Sequence, residues 1–487
     1  MVNRNPVIKY TKIFINNEFV DAVSGKTFPS VNPATETVVA QVAEGDKADV
    51  NKAVEAAKKA FERGSKWRSM PPSGRGILLN KLADLIDRDA DQIASIQTLE
   101  NGKPWTHSFG ECTMTSSILR YYAGWADKIH GETAATDDNS VVMTRKEPIG
   151  VVGQITPWNG PIVLLAFKLG PAVAAGCTVV LKPAEQTPLC TLHVAALIKE
   201  AGFPPGVINI VPGYGPTAGA AVSEHPDIMK VAFTGSVEVG KKIMVASGNT
   251  NLKRVTLELG GKSPLVIFDD ANVDEAVKIA HDAIFTNSGQ ICIAASRVFV
   301  QSKIHDEFVK KSKALTLKRK LGDPFDPATE QGPQVDDEIF ERVLSYLKAG
   351  KEDGATLEVG GERFGKVGYY VMPTIFSNVK DNMRIAREEI FGPVQSILKF
   401  DTMEEVIKRA NDTTYGLGAG VITNDINRAL KFSQAVESGN VWVNQYASLC
   451  PHIPFGGYKQ SGIGRELGAE ALENYLETKS IHIKLSS

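Results

Sequence analysis

Apolar positions along this chain follow two rhythms. Near the N-terminus the spacing is helical: behind Asp46, a residue type that caps helices, Val50, Ala53, Val54, Ala57, Ala60 and Phe61 recur on one face, and Leu78, Leu79, Leu82, Leu85 and Ile86 form a second stripe. These stripes predict two amphipathic helices that are core, not chemistry. Strand-like runs precede them at 13–20 and 28–37, joined by a Ser24-Gly25 turn. Residues 140–146 and 150–155 read as extended chain leaving this helical layer. From Gly150 the rhythm becomes strand and helix in alternation, with strands predicted at 151–155, 178–181, 207–211 and 231–233, each followed by a loop rich in Gly, Pro or Ser. That alternation predicts the α/β class with a parallel sheet wrapped by helices, whose ligands bind beyond the carboxyl ends of the strands.

The alternation resumes further on. A buried strand over 263–268, a helix over 273–285, a strand over 297–301 and a helix over 305–317 lead into a Gly/Pro/Asp-rich connection through Gly332. A helix over 403–411 and strands over 421–423 and 440–444 extend a second α/β unit. The final stretch, 479–485, alternates like an edge strand, and an unpaired edge invites another chain.

Chemistry concentrates between Leu257 and Arg297. Glu258-Leu259-Gly260-Gly261 precedes Cys292 by 34 residues, and the strand and helix between them can return both loops to one place. A cysteine attacks as thiolate and needs a base or a positive potential to reach that state, a task open to Glu258. Taken alone, a cysteine beside Ile291 and Ile293 reads as buried and inert. The neighbouring loops change that balance.

Four of those loops follow predicted strands. Gly213-Tyr-Gly215-Pro-Thr-Ala218 approximates a dinucleotide fingerprint but lacks the acidic residue about twenty positions on, so an ordinary strand-to-helix turn explains it equally well. Phe233-Thr-Gly235-Ser236-Val-Glu-Val239 is the better phosphate site, because free amides at a helix N-terminus favour an anion; a simple Ser236 cap is the alternative. Lys182-Pro-Ala-Glu185 offers a donor and a carboxylate able to accept two ribose hydroxyls, or is a solvated charged loop. Thr156-Pro-Trp158-Asn159 presents an amide able to donate to an oxyanion.

Composition narrows the classes. With 487 residues, 43% hydrophobic and 23% charged, the chain should form two or three domains. A net charge of −2 offers no field for nucleic acid, and no apolar run is long enough to span a membrane. Five scattered cysteines without a CxxC suggest reduced thiols, and the N-terminus lacks both a secretory apolar region and an Arg-rich amphipathic leader. A cytoplasmic location is expected, and no metal site is read.

Taken in order, Trp158-Asn159, Lys182-Pro-Ala-Glu185, Phe233-Thr-Gly-Ser236, Glu258-Leu-Gly-Gly261, Gly289-Gln-Ile-Cys292, Glu389-Ile-Phe391-Gly-Pro393 and Pro454-Phe455-Gly-Gly457 resemble the aldehyde dehydrogenase superfamily over nearly the whole chain. Tracts such as EAGFPPGVINIVPGYGPTAGAA and NLKRVTLELGGKSP are most similar to its class 1 and 2 enzymes, which include cytosolic and retinal dehydrogenases. The resemblance implies a Rossmann-like NAD-binding domain (1–129 and 149–260), an α/β catalytic domain (261–475) and a small β oligomerisation arm (130–148 and 476–487), assembled as a homotetramer made of two dimers. It implies NAD-dependent oxidation of small-molecule aldehydes to acids through a cysteine thiohemiacetal and a thioester hydrolysed by water. Cys292 would be the nucleophile, Asn159 and the Cys292 N–H the oxyanion donors, Glu258 the base, and Lys168 and Glu466 members of a proton path.

On the cofactor side the resemblance puts Lys182 and Glu185 at the adenosine ribose, and Trp158 and Ser236 at the pyrophosphate, with Thr156, Gly215, Phe233, Gly235 and Val239 in the same site. Glu389 would hold the nicotinamide ribose, and Phe391, Leu259 and Gly260 would lie beside the ring. Glu185 would repel a 2′-phosphate, favouring NAD over NADP. Gly160, Leu164, Phe167, Ile291, Ile293, Leu449, Ile453 and Phe455 would line the substrate tunnel. Gly160 stands where Phe is usual, Phe167 where Trp is usual, Ile291 where Cys is frequent and Gln445 where Cys is usual. The missing ring at Gly160 points to long or bulky apolar aldehydes such as retinal. Two rivals are an enzyme that hands its acyl group to coenzyme A, against which the retained Glu258 argues, and a crystallin-like structural or ligand-binding protein, against which intact Cys292, Glu258 and Asn159 argue.

Overall fold

Valine and isoleucine, buried on both faces, build the two large sheets seen in a computed structural model, which describes residues 2–486. Met1 and Ser487, the outermost residues of the expected N-terminal and arm segments, lie outside the described residues. The first sheet has eight strands in the spatial order Gly462–Ile463, Arg254–Glu258, Lys230–Thr234, Val151–Ile155, Thr178–Lys182, Ile208–Ile210, Ile13–Ile15 and Glu18–Val20. Its five central strands, from Arg254–Glu258 to Ile208–Ile210, run parallel. Register sets where those strands end: Ile155 pairs with Lys182 and with Phe233, and Thr234 pairs with Glu258. The carboxyl ends therefore finish level, and the loops carrying Trp158-Asn159, Lys182, Ser236 and Glu258 emerge on one side.

The second sheet has seven strands, with Pro264–Ile267 between Arg297–Gln301 and Gly418–Ile422, and with Val394–Phe400 beside Arg297–Gln301. The helix Val273–Phe285 has the bounds its apolar period predicts, as does Met403–Asn411. A three-stranded sheet joins Leu476–Lys484 antiparallel to Ser140–Pro148, and Ser140–Pro148 to Thr133–Ala134. One edge of Leu476–Lys484 has no strand partner among the described residues.

Two expectations need correction. The run 13–20 is a hairpin of two short strands, because Asn16 and Asn17 both take positive φ (56° and 63°) in a two-residue turn. The run 28–37 is interrupted at 33–36, where a turn ending on left-handed Glu36 separates Thr27–Asn32 from Thr37–Ala43. Smaller shifts affect ends only: 178–181 extends to Lys182, 421–423 becomes Gly418–Ile422, and 305–317 ends at Thr316.

Two loops that lead into neighbouring strands of the second sheet meet at a glycine. Gly289 has φ +74°, and a Cβ there would lie 2.0 Å from the Gly392 carbonyl oxygen. The Cys292 loop thus docks directly on the backbone of the Glu389–Pro393 loop. Gly289→Ala should lower the melting temperature and turnover together, since the backbone alone costs about 1–2 kcal/mol before any displacement of Gly392. Gly110→Ala, in a helix with open space around it, is the control; thermal unfolding should show it neutral or slightly stabilised.

Candidate active site

Three successive left-handed residues, Asn287 (φ 51°), Ser288 (φ 57°) and Gly289, curl the chain ahead of Cys292. The curl is braced on each side. Asn287 Nδ2 donates to the Gln290 carbonyl at 3.2 Å, Val335 N–H donates to Gln290 Oε1 at 3.0 Å, and the Tyr446 hydroxyl donates to the Ile293 carbonyl at 2.7 Å. Glu258 ends its strand at the mouth of this loop and is buried. A Cβ on Gly261 would lie 2.5 Å from the Cys292 carbonyl oxygen, so this glycine is what lets the two segments touch.

Electrostatics here follow from dryness. The Cys292 thiol and the Thr234 hydroxyl approach the Glu258 carboxyl, yet neither Glu258 oxygen completes a hydrogen bond. Loss of solvent, reinforced by Glu466, pushes Glu258 up to about 7. Burial, and then the adjoining Glu258, hold the Cys292 thiol well above its ordinary range. In the free protein the sulfur is a thiol beside a base poised near neutrality.

Asn159 sits opposite. Its Nδ2 donates to the Gln290 carbonyl at 3.1 Å, which occupies one amide hydrogen and leaves the other for a ligand. Behind Glu258, Lys168 Nζ donates to Thr234 Oγ1 at 2.7 Å and pairs with Glu466. Thr234 thus stands between Glu258 and the Lys168–Glu466 pair, a hydroxyl link that the sequence reading omitted.

A cleft of about 140 Å³ opens on Cys292, Glu258 and Asn159. Trp158, Gly235, Ser236, Leu259, Gly260, Glu389 and Phe391 also line it, as do Pro157, Thr234, Ile339 and Arg342. The last two come from the helix Asp337–Glu352, which no motif marked. Trp158 and Phe391 meet edge to face at 5.3 Å between ring centres. These residues fit NAD. Ser236 Oγ accepts from Val239 N–H at 3.3 Å at a helix N-terminus whose other amides remain available to an anion. A Cβ on Gly260 would fall 2.1 Å from Glu389 Oε2, so the glycine makes room for that carboxylate, which also accepts from Gly261 N–H at 3.0 Å. Lys182 Nζ donates to Glu185 at 3.0 Å, with Glu185 half-exposed.

The other expected contacts differ in exposure. Thr156 is buried, with its N–H on the Lys182 carbonyl, and Gly215 is exposed at the start of a short π-helical turn. Val239 is exposed on the first turn of its helix. Phe233 is core: its ring lies beneath Gly235, where a Cβ would come within 2.4 Å of it. On the far side of Cys292, Phe167, Ile293 and Phe455 are buried together, with Leu164, Ile291 and Leu449 packed against them. Phe167 and Phe455 meet edge to face at 6.3 Å. Ile453 is exposed beyond this cluster. Among the described residues there is no His/Cys/Asp/Glu group suited to a metal ion, and no helix long and apolar enough to cross a membrane.

Comparison with known proteins places this geometry. The profile of the aldehyde dehydrogenase family matches residues 19–481. Human aldehyde dehydrogenase 1A1 is 58% identical over 98% of this chain and 96% of its own length. Mouse cytosolic aldehyde dehydrogenase 1 is 57% identical over 99% and 96%. The NAD⁺ complex of a Bacillus cereus aldehyde dehydrogenase superposes with a TM-score of 0.97 at 50% identity, covering 98% of this chain and 97% of that one.

Desolvation of Glu258 has a measurable consequence for pH. A base must be unprotonated, so the hydrolytic half-reaction should be lost as pH falls through about 7. The stability sign is opposite. A carboxyl held at about 7 when folded and near 4.5 when free binds more protons in the folded state, so its stabilising contribution is complete below the lower value and is lost as pH rises through the upper one. Glu258→Gln should therefore be more resistant to unfolding than wild type above pH ~7, by about 3 kcal/mol at most, and the gain should vanish towards pH ~4. Paired denaturant titrations at the two pH values check it; an equal difference at both would remove the desolvation account.

Proposed function

This chain belongs to the aldehyde dehydrogenase family and oxidises aldehydes with NAD, and on that premise we propose that Cys292 is its nucleophile, Asn159 its oxyanion donor and Glu258 its water-activating base. One observation carries the reading: a buried carboxyl without hydrogen-bond donors beside a thiol on the wall of a cleft. Cys292 gives its proton to Glu258 and its sulfur bonds the aldehyde carbon, while the carbonyl oxygen, now an anion, is held by the free Asn159 amide hydrogen and the Cys292 N–H. The chemistry NAD supplies when bound is acceptance of the hydride that leaves this carbon, which converts the thiohemiacetal to a thioester. Glu258, cleared of its proton by way of Thr234, Lys168 and Glu466, then takes a proton from water. The water oxygen attacks the thioester carbon, the C–S bond breaks, and the acid leaves as Cys292 is restored.

Lys182 and Glu185 are assigned to the adenosine ribose, Trp158 and Ser236 to the pyrophosphate, and Glu389 to the nicotinamide ribose, with Phe391 beside the ring. Arg342, lining the same cleft and donating to the Glu389 carbonyl at 2.7 Å, joins this group. A cytosolic location is inferred from the name of the mouse relative. Assembly as a homotetramer is inferred from the resemblance, and the unpaired edge of Leu476–Lys484 supports at least a dimer.

Substrate preference is assigned to long or bulky apolar aldehydes. Gly160 has φ −146°, outside the left-handed region, so its backbone does not require glycine. A Cβ there would meet Val163 Cγ1 at 2.9 Å and the Leu164 side chain from 3.5 Å, side-chain atoms and not backbone, so a larger residue needs the Val163 side chain to shift. What supports a widened tunnel is the absence of a ring at this position, not empty space at its Cβ.

Cys292→Ala should abolish aldehyde oxidation and ester hydrolysis alike while NAD still binds, because both reactions need one acyl intermediate. Near-normal NADH formation by that variant would move the nucleophile elsewhere. Gly160→Phe should lower kcat/KM for bulky aldehydes by about tenfold or more, since several lost apolar contacts add, and nearly keep it for acetaldehyde. A uniform loss across a graded aldehyde panel would point instead to a disturbed Asn159.

A further inference from the structure

The turn between the helices Ala90–Asn101 and Trp105–Trp125 belongs to none of the motifs, yet it reaches the oxyanion loop twice. Asn101 Nδ2 donates to the Trp158 carbonyl and Lys103 Nζ donates to the Asn159 carbonyl, each at 2.7 Å. Gly102 makes this possible: its φ of +83° ends the helix, and a Cβ there would lie 2.6 Å from Pro333. The Lys103 ammonium is fully enclosed and pairs with Glu111, whose other oxygen accepts from Gln97 Nε2 at 2.6 Å.

Burying an ammonium is costly unless its donors are used, and this one spends a donor on a single backbone carbonyl in the site. Asn287 Nδ2 donates to that same Asn159 oxygen at 3.2 Å. The Asn159 peptide is thus pinned from two sides, while its side-chain amide is pinned by Gln290. Only one amide hydrogen remains, and its direction is set by these three contacts. A donor misplaced by about 1 Å can cost about a hundredfold in rate.

We propose that Lys103, with Glu111 as its counter-ion, is a positioning residue for the oxyanion step: it fixes the Asn159 peptide so that the free amide hydrogen is already aimed at the aldehyde oxygen. The proposal rests on the assignment of Asn159 as oxyanion donor. The full-length enzyme and the variants Lys103→Met, Asn159→Ala and their double combination would be compared in kcat/KM for propanal, in the rate of acylation by p-nitrophenyl acetate, and in NAD affinity. Lys103→Met should slow both acylation reactions by about tenfold or more while changing NAD affinity less than about twofold. In the Asn159→Ala background the same substitution should add less than about a twofold loss, since the residue acts through Asn159. An equal loss in both backgrounds, or near-normal acylation by Lys103→Met, would overturn the proposal alone. Near-normal acylation by Asn159→Ala would remove the oxyanion reading and this proposal with it. If Lys103→Met does not fold, Glu111→Gln, on the partly exposed side of the pair, carries the test: a loss of about threefold or more that disappears in the Asn159→Ala background supports it, and an additive loss or none overturns it.

Discussion

Exclusion of water from the Glu258 carboxyl is the constraint to which the rest of the site answers. A base works best when its pKa lies near the working pH, and an exposed glutamate lies far below that. Burial, with the Glu466 charge behind it, supplies the difference here, and no protein group completes a hydrogen bond to either oxygen. Dryness in turn needs strands that end in register, so that their loops close over the carboxyl, and glycines where loop meets loop. Gly260 admits Glu389, Gly261 admits the Cys292 carbonyl, and Gly289 admits the Gly392 carbonyl. The penalty is local instability at the centre of the molecule, held by the two apolar sheets around it.

How much of this was legible in the sequence depended on whether a feature leaves a pattern. Strands buried on both faces leave runs of Val and Ile, and so the parallel strands of the first sheet, with the helix Val273–Phe285, stood almost where the periodicity put them. That Cys292, Glu258 and Asn159 would come together was legible because glycine-rich loops after strands gather at one end of a sheet, and the three line one cleft. The Asn16-Asn17 turn was hidden because asparagine takes the left-handed region without a Gly or Pro to signal it. Phe233, read with its motif as a cofactor contact, turned out to support Gly235 from below. Lys103, Asn287, Tyr446 and Arg342 went unread for one shared reason: each donates to a backbone carbonyl. A carbonyl exists at every residue, so such a bond imposes no partner type that a sequence could display.

A raised pKa alone would not single out the carboxyl proposed as base. Glu100 is buried and also pushed up to about 7 by loss of solvent, which makes it look like Glu258 by that measure. Its surroundings are the reverse. The Glu100 oxygens accept from the Leu189 and Cys190 N–H groups at 2.7 and 2.8 Å, closing the N-terminal turn of the helix Pro188–Ala201. Glu389 accepts from Gly261 N–H, and Glu466 from Lys168. Of these four carboxyls only Glu258 has both oxygens free, and of the four only it ends beside a thiol in the cleft. A carboxyl held by N–H groups is stabilised as its anion and loses part of that stabilisation when it takes a proton. One held by nothing keeps no such preference for its anion, so an unmet hydrogen-bonding capacity, which elsewhere in a core is a fault, is what suits Glu258 to the proposed role of base.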